Sequence, residues 1–170
     1  MKKNKKIILF ILITLILLIV VCFLVFKNTK EKIILTCNEK ATISEGIVQE
    51  MNYNVIKRGK DIILDQNQKL TLSEKIYIEL LKKGYYLSDL SKYFENSVEL
   101  AMSENFEGYE QYVSYQYNNI DIGFSVDVQY IINKKSADYF SKKIGINLYE
   151  SNINAIKNFF ESSGMKCEKN

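Results

Sequence analysis

Apolar residues fall along this chain in three rhythms, and each predicts a different kind of element. From Ile7 to Phe26 they are continuous, with Thr14 the one clearly polar interruption. Twenty such residues at about 1.5 Å each reach roughly 30 Å as a helix, the thickness of bilayer hydrocarbon, so the run predicts a transmembrane helix. Further on the rhythm becomes two. Ile47, Met51, Tyr53 and Val55 alternate with polar neighbours, Arg58-Gly59-Lys60 reads as a turn, and DIILDQNQKLTL continues as the partner strand. Ile120, Ile122, Phe124, Val126, Val128, Tyr130 and Ile132 predict a long strand with one wet face. Its partner is Tyr109–Tyr117, and the turn is placed at Asn118-Asn119. Ile33–Cys37 predicts a short first strand.

Helical spacing fills the remaining gaps. Thr71 and Glu74 form a capping-box pattern ahead of Ile76, Tyr77, Leu80 and Leu81, with Gly84 as the stop. Ser88 is placed as the cap of a second helix carrying Leu90, Tyr93, Phe94, Val98 and Met102. Ser136 opens a short turn through Tyr139 and Phe140. Ser151 is placed as the cap of a last helix with Ile153, Ile156, Phe159 and Phe160 facing inward, ended by Gly164. Cys167 follows in a short edge strand or tail. The order predicts an α+β domain over residues 33–170, an antiparallel sheet with helices packed on one face.

Charge then orients the chain. Lys2, Lys3, Lys5 and Lys6 precede the span, and Lys27, Lys30 and Lys32 follow it beside Glu31. That bias and the short tail of residues 1–6 favour an N-terminus inside and the bulk of the chain outside, beyond a linker at 27–32. A cleaved signal peptide fits less well, because the apolar run is long and lacks a small-residue cleavage site. The expected location is a single-pass membrane protein with an extracellular C-terminal domain, touching lipid through residues 7–26. Residues 27–170 hold 19 Lys and Arg against 20 Asp and Glu. The domain is therefore near neutral, without the electrostatic footprint of a nucleic-acid binder.

Chemistry enters through the cysteines. There is no histidine in the chain, so zinc, haem and a cysteine nucleophile with a histidine base have no ligand set or base. Cys22 lies within the span. Cys37 stands eleven residues past Phe26 after Leu35-Thr36, which is a poor lipid-attachment site. In an oxidising compartment Cys37 and Cys167 are expected to pair, the competing reading being two buried thiols.

The layout resembles the YehR-like family of small bacterial lipoproteins and their transmembrane-anchored relatives. The shared features are an N-terminal anchor, the Thr36-Cys37 pair opening the domain, a strand meander, a helical middle, a long alternating hairpin, and a terminal helix ending near Gly164-Met165-Lys166-Cys167. The resemblance spans residues 33–170 and implies fold and location. It brings no catalytic residues, and the lipid-attachment motif of lipid-anchored members is missing here.

Three stretches invite a site reading. Glu104, Glu107 and Glu110 are spaced by three around Gly108 but lack a calcium-loop pattern. Asp121 and Asp127 on one strand face would stand roughly 20 Å apart, too far for a catalytic pair. YEQYVSYQYNN, residues 109–119, is tyrosine-rich, and Tyr112, Tyr115 and Gln116 are the candidate binding residues, set against ordinary cross-strand packing of tyrosines. The expected function is a non-enzymatic, membrane-anchored binding or accessory module for an envelope protein, peptide or glycan, with no cofactor. The alternative is an envelope hydrolase using Asp or Glu residues that converge only in three dimensions.

Overall fold

The computed structural model describes residues 30–170. The span expected at 7–26, the tail at 1–6 and Cys22 lie outside them. Among the described residues no helix is long and apolar enough to cross a membrane.

Three long strands open the domain as a meander: β1 (Glu31–Ser44), β2 (Ile47–Arg58) and β3 (Asp61–Leu72). Helices α1 (Glu74–Lys82) and α2 (Leu87–Asn105) follow. A 3-10 turn at Glu110–Tyr112 leads into the hairpin β4 (Val113–Ile120) and β5 (Gly123–Ile132). Helices α3 (Ala137–Ile144) and α4 (Ile153–Ser162) and the short strand β6 (Lys166–Lys169) close the chain. The six strands lie in the order β4-β5-β3-β2-β1-β6, and every neighbouring pair is antiparallel. The predicted α+β class holds.

Cross-strand partners point to one face, so the register sorts side chains into rows. Leu35, Val55, Leu64, Tyr130 and Val113 form a row beneath the helices. Leu35, Val55 and Leu64 are buried there with Phe140, Leu148, Ile156 and Phe160. Each fully buried side chain of this kind contributes about 1.5–3 kcal/mol. Cys37 pairs with Cys167 across β1 and β6, and the two sulfurs are bonded over a separation of 130 residues. Both cysteines are buried.

Local boundaries depart from the sequence reading in several places. β1 runs on to Ser44, because NEKAT continues to pair with β2 although it carries no apolar alternation. The β4–β5 turn is Asp121-Ile122 and not Asn118-Asn119, since Asn118 pairs with Ser125 and Asn119 with Phe124. The Ile122 carbonyl accepts from Leu72 N at 2.8 Å and ties that turn to the end of β3. A Cβ at Gly123 would meet the Leu70 carbonyl, so a residue without one lets β3 and β5 close there. Asp121 therefore belongs to a turn and shares no strand with Asp127.

Helix starts shift by a residue or two. Ser73, not Thr71, caps α1, its hydroxyl accepting from Ile76 N. Tyr86 precedes α2 without a side-chain cap, and Ser88 lies in its first turn. Asn152, not Ser151, caps α4 by accepting from Asn154 N and Ala155 N. The turn expected at Tyr139-Phe140 is the full helix α3, and residues 109–112 lie outside the strand that was expected to contain them.

Candidate functional site

The face of the sheet opposite the helices carries polar rows. One consists of Thr36, Asn54, Asp65, Gln129 and Ser114, and the next of Asn38, Asn52, Asn67, Asp127 and Gln116. A third holds Lys40, Glu50, Lys69, Ser125 and Asn118. The rows are cross-linked. Asp127 accepts from Asn67 Nδ2 at 2.6 Å and from Asn118 Nδ2 at 2.9 Å. Asp65 accepts from Gln129 Nε2 at 2.8 Å, and the Thr36 hydroxyl donates to Asn54 Oδ1 at 2.9 Å. Lys40 bonds Glu50 at 2.6 Å and holds its carboxyl below the ordinary value, through that hydrogen bond first and its charge second.

A depression of about 480 Å³ sits over β3, β5 and β4, bounded by Asp65, Asn67, Gln116, Asp127 and Gln129 with Tyr115 at its edge. Amides and carboxylates fixed by one another in this way present both donors and acceptors without reorganising, which suits a ligand rich in hydroxyls or amides. Asp65 and Asp127 are diagonal neighbours across β3 and β5. Same-face diagonal positions stand about 7–8 Å apart.

A second hollow, of about 510 Å³, lies between the sheet and the helices. Met102, Phe106, Phe140 and Phe160 make it apolar, and Tyr53, Gln66 and Tyr130 supply its polar atoms. The Tyr130 hydroxyl donates to Gln66 Oε1 at 3.3 Å. Burial pushes the Tyr130 phenol up to about 12, with neighbouring Tyr53 adding to the effect. Burial also raises Tyr53, with a smaller contribution from the Glu39 charge. Both hydroxyls therefore stay protonated at physiological pH and act as hydrogen-bond groups, not as bases.

The residues singled out from sequence are dispersed. Gln116 faces the open side in the depression. Tyr115, its neighbour on β4, pairs with Val128 in a row on the helix side but remains 41% exposed at the sheet edge. Tyr112 lies in the 3-10 turn, half-buried against the core, with its ring 6.2 Å from that of Tyr109. Tyr115 and Gln116 thus border one depression, and Tyr112 is not among its lining residues. Glu110 caps its own turn by accepting from Gly108 N at 2.8 Å, and backbone N–H bonds hold its carboxyl below the ordinary range. No group of three potential ligands able to hold a metal ion occurs among the described residues.

Asp65, Asn67 and Gln129 were not singled out from sequence, although DQNQK carries a signal. That segment is polar at both parities, which a strand with one packed face does not require. Comparison with known proteins returns no matching family model, no matching curated sequence and no matching solved structure.

Proposed function

We propose that this protein is a membrane-anchored extracytoplasmic binding module whose uncovered sheet face takes a hydroxyl-rich envelope glycan. The location rests on the apolar run at 7–26, the lysine bias around it and the resemblance in layout. The single observation that carries the binding reading is the cross-linked polar array on the open face, centred on Asp127. Sugar hydroxyls both donate and accept, and Asn67, Gln116 and Gln129 with Asp65 and Asp127 meet both needs.

The test is retention of the detergent-solubilised full chain on purified wall glycan. The double variant Asn67→Ala/Gln116→Ala is expected to weaken retention at least tenfold, with thermal unfolding unchanged within a few degrees. Tyr112→Ala, away from the depression, is expected to lower stability and leave retention intact. Equal retention by the folded double variant, or none by the parent chain, would reject the reading.

A hydrolase remains the second reading because of one observation, the diagonal placement of Asp65 and Asp127. Inverting glycosidases separate their two carboxyls by about 6.5–9.5 Å. Against it, both carboxylates already accept amide donors, and the depression is bounded by an open sheet face. Release of soluble sugar from the same glycan, abolished by Asp65→Asn, would replace binding with hydrolysis.

A further inference from the structure

One end of the sheet gathers the beginning of β1, the β2–β3 turn, the end of β5, the start of β4 and the 148–152 segment between α3 and α4. Six exposed lysines lie there: Lys30, Lys32, Lys57, Lys60, Lys134 and Lys135. None of the six makes an ion pair among the described residues. Arg58 at the same end is bonded to Glu31 at 3.3 Å. Counting Lys169, this end holds eight basic side chains against six acidic ones, Glu31, Asp61, Glu110, Asp138, Glu150 and Glu168. Residues 30–170 together hold 18 basic and 20 acidic residues, so the rest of the domain has ten against fourteen. This end therefore has an excess of two positive charges and the rest of the domain an excess of four negative ones.

The same end is amphipathic. A groove of about 580 Å³ has Ile34, Ile62, Ile153 and Ile156 in its lining, Ile62 and Ile156 being buried, with Lys57 of β2 and Lys60 of the β2–β3 turn beside them. Across the opposite face, Ile33, Ile56, Ile63 and Ile131 align in one cross-strand row, in which Ile56 and Ile63 are buried and Ile33 is 43% exposed. Distance adds an independent constraint. The apolar run ends at Phe26 and β1 begins at Glu31, leaving residues 27–30 between them. Four residues reach at most about 14 Å, while the headgroup layer on each side of the hydrocarbon is about 5–7 Å deep.

We infer that this lysine-rimmed end is a docking surface for the anionic headgroups of the bilayer that holds the anchor, so that the domain lies on the membrane and does not swing freely above it. The inference rests on the anchor reading proposed above. Lysines around a partly apolar end match a lipid surface, where the charge meets headgroup phosphate and the exposed Ile33 meets the first methylenes. Docking also fixes the direction of the polar array, because strands that begin at the membrane carry the open sheet face upright beside it.

The test uses the full chain reconstituted in lipid nanodiscs, read by amide hydrogen exchange. In discs containing phosphatidylglycerol, amides of residues 57–60 and 148–152 are expected to exchange at least about threefold more slowly than in phosphatidylcholine discs. Half-molar salt should remove the difference, since it shortens the Debye length to a few ångströms. The β1–β2 turn at Glu45-Gly46 and the β4–β5 turn at Asp121-Ile122, at the other end, should exchange equally in both discs. The quadruple variant Lys57→Glu/Lys60→Glu/Lys134→Glu/Lys135→Glu should lose the difference while keeping the far-end exchange rates, which report the fold. If that variant unfolds, Lys134→Glu/Lys135→Glu alone should at least halve the effect. A chain that remains in the discs but exchanges alike at residues 57–60 in both lipids overturns the docking inference. A chain that fails to enter discs of either lipid overturns the anchor reading instead.

Discussion

Helices α4 and α2 cover the same face of the sheet, yet α4, with ten residues, buries Ile156 and Phe160, while α2, with nineteen, buries Ser91 alone. Helix α1 buries nothing. The difference begins in the apolar pattern. Ile153, Ile156, Phe159 and Phe160 repeat at three and four, so one stripe meets the sheet. In α2 the large side chains spread around the axis, leaving Tyr93 at 68% and Leu100 at 59% exposed. What holds α2 is a set of point contacts. Phe94 packs tilted against Phe124 with ring centres 4.3 Å apart, and Ser91 bonds Asn119 and Tyr117. The half of the domain closed by the disulfide therefore carries the stability, and the α1–α2 arm is the part expected to open first.

Removing the cross-link breaks that comparison most severely. Cys37→Ala/Cys167→Ala frees a loop of 130 residues, for which chain entropy alone assigns about 5 kcal/mol. Urea unfolding of the double variant, or of reduced protein, is expected to show a loss of that order. A loss below about 1 kcal/mol would mean that the packing around β6 holds without the bond.

Matched truncations on the two helices come next. Phe160→Ala, at 4% exposure, is expected to cost about 3–5 kcal/mol in global unfolding. Phe94→Ala, at 37% exposure, is expected to cost about 1 kcal/mol and to raise exchange along α2 selectively. Equal costs would show that both helices belong to one cooperative unit.

The smallest effect lies where the two regions meet. Tyr130 packs 5.7 Å from Phe106, just beyond α2, and 5.7 Å from Phe140 of α3. Its phenol is raised to about 12 by burial, from an ordinary value of 10.0. Below pH 10 both folded and unfolded chains keep the proton, and this group adds no pH dependence. Between pH 10 and 12 the unfolded chain has lost it and the folded chain has not, so stability falls as pH rises. The fall should reach about 2 kcal/mol after allowance for partial exposure, and Tyr130→Phe should remove that portion. Phe94→Ala should shrink it too, by admitting water beneath α2. An unchanged alkaline profile in Tyr130→Phe would place the phenol in water.

Much of this architecture was readable because the signals are local. Met51, Tyr53 and Val55 on β2 and Phe124, Val126, Val128, Tyr130 and Ile132 on β5 recur at every second position, and the register puts them on the helix side. Cap positions were read less well: several Ser, Thr and Asn residues precede each helix, and backbone direction selects Ser73 over Thr71 and Asn152 over Ser151. The hairpin turn was misplaced for a related reason. Asn118 and Asn119 suit a turn by type, but in the folded chain Asn118 donates to Asp127 across the hairpin and Asn119 Oδ1 accepts from Ser91 of α2. Asp65, Asn67 and Gln129 escaped notice because the strands that unite them are separated by about sixty residues of sequence.

By itself the sequence determined the α+β class, the apolar run at 7–26, the alternation of the long strands and the inventory of possible chemistry, without histidine and with three cysteines. Those properties depend on residue type and on spacing within a single element. Tertiary structure decided the rest: that β1 and β6 adjoin and bond Cys37 to Cys167, that Asp65 and Asp127 become neighbours, and that lysines from four separate segments share one end. Such proximities are set by strand order and register, which follow from how whole elements pack against one another.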